Sequence, residues 1–200
     1  DTAVHGIMIQ SPTPNHDLAK LSNAISPLKD VDGMSSSTLV FPAVVESFLK
    51  YLELIALDCS IEVYRINQFS KSHFELRNEI ISDFQKGKKI CIVNDSLLIG
   101  QPLHKFFKSL QLDSTICNKF TQRLSETTKI SDLIISATGV PGLITSDMIK
   151  ENSILLDAGF PKADFSENVV GKASFLSPVP GGIGPLTVVS LFENLFRLLD

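Results

Sequence analysis

Two hundred residues with 44% hydrophobic side chains and a mean hydropathy of +0.19 supply a packed core and exclude a disordered chain. A net charge of −4 with no long basic run excludes nucleic-acid or membrane-surface binding by bulk electrostatics, so a small or acidic ligand needs a local site. No apolar run has the length of a membrane span, no signal peptide is visible, and the widely spaced Cys59, Cys91 and Cys117 read as buried thiols of a reducing cytoplasm, without metal or disulfide.

The chain enters on Asp1 rather than Met, directly on an apolar run, so an upstream portion is expected. Residues 4–10, V-H-G-I-M-I-Q, read as a short buried strand stopped by the prolines of S-P-T-P, which places Gln10 at a strand end facing a cleft. Residues 17–25 read as a short helix with Leu18 and Leu21 inward. K-D-V-D-G at 29–33 gathers two carboxylates and a lysine around a turn glycine, and standing alone it is a solvated turn. Phe41-Pro42 opens a helix in which Val44, Val45, Phe48, Leu49, Leu52 and Ile55 keep a helical period. Residues 61–66 alternate like a strand and 74–84 read as a charged amphipathic helix; neither points to chemistry.

From Lys88 onward the pattern is strand, turn, helix. Residues 88–93, 114–117, 131–137 and 153–159 are strand-like, with a helix over 103–110 and a capped helical turn over 145–150. Apolar strands separated by helical segments imply a parallel sheet covered on both faces. Ligands of such sheets bind outside the carboxyl ends of the strands, where the turns at 94–96, 118–120, 138–140 and 159–160 fall. There is no strict G-x-G-x-x-G. The tail, S-P-V-P-G-G-I-G-P-L-T at 177–187, has prolines to stiffen it and glycines to expose backbone N–H groups against a ligand, although a bland glycine cluster is a connector. Beyond it Leu186, Val189, Phe192, Leu195 or Phe196, and Leu199 form an apolar stripe on a helix of roughly 14 residues that must dock on something.

Four motifs in order resemble the bifunctional methylenetetrahydrofolate dehydrogenase/methenyltetrahydrofolate cyclohydrolase family: G-I-M-I-Q-S-P-T-P at 6–14, K-D-V-D-G at 29–33, A-T-G-V-P-G-L-I-T-S-D-M-I-K-E-N-S-I-L-L-D-A-G at 137–159, and P-V-P-G-G-I-G-P-L-T at 178–187. The resemblance implies an α/β protein, with a Rossmann-like parallel-sheet cofactor domain and part of an α/β folate-binding catalytic domain completed by the C-terminal helix. The boundaries expected are 1–57 for the partial catalytic domain, 58–177 for the cofactor domain with an insertion at about 58–87, and 178–200 for the returning loop and helix. By resemblance Gln10 and Asp32 are the catalytic residues and line the pterin site with Ser11 and Pro12, while Pro180, Gly181, Gly182, Ile183 and Gly184 close the folate cleft. An aspartate suits a pterin because its two oxygens accept from neighbouring ring N–H groups together. A tetrahydrofolate derivative is the expected substrate, NADP or NAD the cofactor, and a homodimer the assembly. The cofactor is expected against Asn94, Asp95, Ser96, Gly100, Pro102, Asn118, Lys119, Thr138, Gly139 and Phe160.

Three departures set this chain apart. The family's catalytic lysine lies in a Y-x-x-x-K segment upstream of the Q-x-P-x-P stretch, and neither Lys20 nor Lys29 stands in that motif, so the chain is expected to lack the proton shuttle of the cyclohydrolase step. Where the family has G-R-S-x-x-V-G-x-P, this chain has N-D-S-L-L-I-G-Q-P; an arginine pairs with the 2′-phosphate of NADP, whereas Asp95 repels it and favours NAD, with Lys119 a partial counterweight. The link between residues 57 and 88 is about 25 residues longer than in the family, well beyond ordinary loops. The alternative left open by Asn94, Asp95 and Asn118 is a folate- or nucleotide-binding relative without catalysis. Another small-molecule dehydrogenase leaves 29–33 and 178–187 unexplained.

Overall fold

Runs that are apolar along their whole length are satisfied as strands buried on both faces. The computed structural model, which describes residues 1–10, 13–64 and 73–199, arranges them so. Strands β1 (Lys89–Val93), β2 (Asp113–Cys117), β3 (Leu133–Ser136), β4 (Ile154–Asp157) and β5 (Phe175–Leu176) form one parallel sheet in the order β2-β1-β3-β4-β5. Alternation sends Ile90, Ile92, Leu133, Ile135, Ile154 and Leu156 to one core and Cys91, Val93, Ile134 and Leu155 to the other. The first core is completed by helices α2 (Ala43–Tyr64), α3 (His73–Gln85) and α4 (Gly100–Ser109) through Phe48, Leu49, Leu52, Ile81, Leu103 and Phe107. The second is closed by Ile144, Ile149, Phe165 and Val169, with Leu124 of α5 (Leu124–Lys129) against it. From β1 the chain passes to β2 on one side and then to β3 on the other, so the carboxyl ends of β1 and β3 flank the crevice where the strand order reverses.

Two helices complete the fold. In α1 (Leu18–Ser22) the carboxylate of Asp17 accepts from the N–H groups of Ala19 and Lys20 at 3.0 and 3.3 Å, which caps a helix of only five residues. The tail helix α6 (Ile183–Leu199) lies on α2 and is pinned by polar contacts: Thr187 Oγ1 to Ser47 Oγ at 3.1 Å, and Lys50 Nζ to Glu193 Oε2 at 2.6 Å. Asn194, fully buried, donates from Nδ2 to the carbonyls of Val31 and Phe41 at 2.9 and 3.0 Å. Glu46 joins the same seam, accepting from Arg197 at 3.2 Å and pairing with the buried Arg77 of α3.

The structure corrects several expectations. Residues 4–10 are no strand: one bridge, Ile7 to Asp30, with Ile7 N–H to Lys29 O at 2.7 Å, is all the pairing described there, and Val4, Ile7 and Met8 stay exposed. Apolarity signals burial but does not supply a partner strand. Residues 61–64 continue α2, and the rest of that expected strand, 65–66, lies outside the described residues. The tail stripe does not dock as expected, since Val189, Phe192, Phe196 and Leu199 are all exposed and α6 buries Ile183, Ser190 and Asn194. The turn expected over 145–150 is a short 3-10 helix, Ser146–Met148, with no side-chain cap from Thr145, whose carbonyl accepts from Met148 N–H at 2.9 Å; the Ser146 N–H goes to Asn168 Oδ1 at 3.0 Å. His104 is half-buried, its Nδ1 2.9 Å from Ser114 Oγ. Cys91 and Cys117 are free and buried, 3.7 Å apart across β1 and β2. The Cys91 thiol donates to Cys117, holding Cys117 down at about 7 and pushing Cys91 up.

Candidate functional site

The carboxyl end of β4 meets the glycine-rich loop. Ser177, which starts that loop, is tied to β4 by its N–H to Leu155 O at 3.0 Å, and its Oγ accepts from Asp157 N–H at 2.7 Å. Asp157 is itself buried and gathers the turn after it: Oδ1 accepts from Gly159 at 2.7 Å and Asp164 at 3.2 Å, and Oδ2 from Phe165 at 3.1 Å. Burial pushes its carboxyl up, and those three N–H groups only partly offset it. Asp157 is therefore a structural clamp. Between turn and loop lies a cavity of about 370 Å³ lined by Val44, Asp157 to Pro161, Pro178 to Pro185, and Thr187. Its wall admits only glycine at position 182, where a Cβ would stand 2.4 Å from the Pro178 carbonyl. Pro180, Gly181, Gly182, Ile183, Gly184 and Phe160 all come together here, the Phe160 ring 85% exposed.

The other expected cofactor residues gather at the carboxyl ends of β1, β2 and β3. Asn94 donates from Nδ2 to the Ala137 carbonyl at 2.8 Å, and its Oδ1 accepts from Ser96 N–H, Ser96 Oγ and Gly100 N–H at 2.9, 2.6 and 3.1 Å. Asn118 Nδ2 donates to Asp95 Oδ2 at 2.9 Å, tying the turn after β2 to the turn after β1. Thr138 is held by Asp164, whose buried Oδ2 accepts from Thr138 N–H at 2.6 Å, Thr138 Oγ1 at 2.8 Å and Ser136 Oγ at 2.7 Å. Gly139 is exposed beside it, and Lys119 lies over the Phe120 ring with Nζ 5.1 Å from the centroid. Pro102 lines a second cavity of about 660 Å³ between residues 33–42 and α4 that includes Ser35, Phe41, Gln101 and Lys105.

Gln10 is exposed and Asp32 half-buried, and neither lines the two cavities; Ser11 and Pro12 lie outside the described residues. Asp32 reaches the loop cavity through the chain, since its carbonyl accepts from Ala43 N–H at 3.2 Å and Val44 follows in the cavity wall. Its carboxylate makes no hydrogen bond or ion pair with the described residues. Burial, and after it the Asp30 charge, push the Asp32 carboxyl above its ordinary value of 3.8. A raised carboxyl contributes stability below the unfolded value and loses it as pH rises through the folded one. Asp32→Asn is therefore expected to raise the melting temperature by a few degrees at neutral pH, with the difference vanishing in acid near 3.8. Melting curves across that range check it; a gap that widens in acid contradicts it.

Sequence reasoning missed Asp164 and Ser177. Asp164 sits 28 residues from Ser136 and no local pattern marks it. Ser177 opens the glycine-rich stretch, where the prolines and glycines carry the signal and a serine carries none, and the larger cavity has no signature because its walls come from separate elements. Among the described residues no group of three or more His, Cys, Asp or Glu side chains could hold a metal ion, and no helix is long and apolar enough to cross a membrane.

Comparison with known proteins gives the following. The family profile for the tetrahydrofolate dehydrogenase/cyclohydrolase NAD(P)-binding domain matches residues 74–200. The bifunctional protein FolD of Hydrogenobaculum sp. (strain Y04AAS1) is 33% identical over 205 residues, covering 97% of this chain and 67% of that protein. The FolD of Fusobacterium nucleatum is 35% identical over 207 residues, covering 98% and 67%. The crystal structure of the bifunctional enzyme FolD, methylenetetrahydrofolate dehydrogenase/cyclohydrolase, from Campylobacter jejuni superposes with a TM-score of 0.80 at 28% identity, over 99% of this chain and 68% of that one. The chain thus spans about two thirds of the length of the relatives it matches.

Proposed function

The chain belongs to the tetrahydrofolate dehydrogenase/cyclohydrolase family, and from that membership we propose that it serves one-carbon folate metabolism, oxidising methylene-tetrahydrofolate to methenyl-tetrahydrofolate with NAD or NADP and yielding formyl-tetrahydrofolate by hydrolysis. The observation that carries this reading is the 370 Å³ cavity: the folate-side loop, Pro180 to Gly184, and the cofactor-side turn, Gly159 and Phe160, are walls of one space. Hydride transfer needs a donor carbon and an acceptor ring in contact with water excluded, and a nicotinamide cofactor supplies the acceptor when bound. Val44, Pro161, Val179 and Ile183 give that space apolar walls. In this reading the backbone of the loop holds the folate, and Asp32, a half-buried carboxylate outside that cavity with no partner among the described residues, is the acceptor for pterin N–H groups, with Gln10 the second substrate-side residue. The residues present fit a dinucleotide at its nicotinamide end through Thr138, Gly139 and Phe160. At its adenosine end they fit NAD better than NADP through Asp95, which Asn118 holds, with Lys119 a partial counterweight. No lysine of residues 1–200 is assigned the proton-shuttle role of the hydrolytic step.

In this reading residues 1–57 and 178–200 belong to the folate-binding part and 58–177 to the cofactor part, with α2 as the shared joint and a homodimer as the working assembly. The test is direct: the full-length protein, methylene-tetrahydrofolate and either coenzyme, followed by absorbance of the reduced nicotinamide. Reduction of NAD is expected, and of NADP more weakly. Failure with both coenzymes removes the dehydrogenase. Tetrahydrofolate binding without turnover would favour the second reading, a non-catalytic binding module, for which the observation is the occupied turn at Asn94.

A further inference from the structure

We infer that Asn94 acts as an internal occupant of the phosphate position in the dinucleotide crevice and limits how tightly this chain binds its cofactor; this rests on the reading that the crevice takes a dinucleotide. In a doubly wound sheet the pyrophosphate lies where the strand order reverses, against the N–H groups at the start of the following helix. In this sheet that place is the gap between the carboxyl ends of β1 and β3, and the helix is α4.

The donors at that helix start are already taken. Ile99 N–H goes to Ser96 Oγ at 3.1 Å, Gly100 N–H to Asn94 Oδ1 at 3.1 Å and Gln101 N–H to Ser96 O at 3.0 Å; Pro102 has none. The Asn94 oxygen thus collects the Gly100 N–H, the Ser96 N–H and the Ser96 hydroxyl, as a phosphate oxygen would. Its amide nitrogen reaches across the gap to Ala137 O at 2.8 Å and spans the crevice. The turn is closed tightly over it, for a Cβ on Gly100 would stand 1.9 Å from the Asn94 carbonyl. A phosphate entering here exchanges one set of acceptors for another and gains little.

The experiment measures NAD affinity of the full chain by calorimetry in the wild type and in Asn94→Gly, Asn94→Ala and Asn94→Asp, each checked for a cooperative melt. Glycine and alanine free the Gly100 and Ser96 N–H groups and are expected to tighten binding about three- to tenfold. Aspartate keeps the oxygen, adds a charge facing phosphate, and is expected to weaken it. A purely structural role would move all three the same way, because each loses the Ala137 bond, so weaker binding in all three overturns the inference. If the wild type binds NAD and neither Asn94→Gly nor Asn94→Ala binds more tightly, the inference falls while the cofactor reading stands. If no form binds NAD or NADP, both fall.

Discussion

Asp164→Ala is expected to lower the unfolding free energy by about 3–5 kcal/mol, read by urea denaturation. Its buried carboxylate accepts from Ser136 Oγ, Thr138 N–H and Thr138 Oγ1, all at 2.6–2.8 Å, and alanine leaves those donors without it. Hydrogen bonds to a charged acceptor contribute about 1.5–3 kcal/mol each, and the opposing gain is relief of the other oxygen, Oδ1, which is buried without a hydrogen bond. Three bonds against one unsatisfied atom leaves the clamp net stabilising. Asp164→Asn keeps one accepting oxygen and should lose less than half as much. The Thr138 turn also loses its anchor, so cofactor affinity should follow the same order, alanine weaker than asparagine. Should Asp164→Ala melt with the wild type, the clamp is incidental and the turn is held by other contacts.

The sheet is legible in the sequence because β1, β3 and β4 are apolar at nearly every position, which only a strand covered on both faces requires. Residues 7–9 are as apolar, yet what they need is a neighbour, and a neighbour is a tertiary fact; Ile7 finds only Asp30. The alternation of 61–66 covers too few residues to outweigh a helix already propagating from Ala43, which runs on to Tyr64. The tail helix misleads for a different reason. Hydrophobic period predicts an apolar seam, whereas α6 turns Thr187, Ser190 and Asn194 inward and leaves Phe192 and Phe196 exposed.

The candidate site divides along the same line. Glycine and proline patterns are local, so the loop at 178–185 and the turns after the strands can be placed from sequence, and Pro180 to Gly184 do meet Phe160 around one cavity. Carboxylate clamps divide in the same way: Asp157 ends a strand and takes the Gly159 N–H of the turn just after it, whereas Asp164 holds Thr138 from 26 residues away and in sequence is one aspartate among many. Asp32 is the reverse case: its motif marks it, while its geometry gives it no partner among the described residues and no place on either cavity wall. A half-buried carboxylate without a hydrogen-bond partner is partly desolvated at a cost, and a ligand carrying N–H donors is what would offset it.

Asp95→Arg is expected to reverse coenzyme preference, moving the ratio of NADP to NAD affinity by about tenfold to several hundredfold toward NADP. The physical case rests on where Asp95 is held. Asn118 Nδ2 bonds one of its oxygens at 2.9 Å and leaves the other without a hydrogen bond among the described residues, in the turn after β1 that is tied to the turn after β2. A free carboxylate oxygen accepts from ribose hydroxyls and repels a 2′-phosphate, whereas a guanidinium does the opposite and pairs with phosphate in bidentate fashion. Lys119 stands next to Asn118, but its ammonium is over the Phe120 ring at 5.1 Å and faces solvent, so it answers Asp95 only in part. Two controls separate charge from shape. Asp95→Asn should give an intermediate ratio, and raising salt should shrink the difference between Asp95→Arg and wild type, because exposed charges are screened within about 8 Å at physiological ionic strength. Equal ratios for wild type and Asp95→Arg would place the adenosine end of the cofactor elsewhere on the sheet, and would leave Asn118 as a tie between two turns with no part in coenzyme choice.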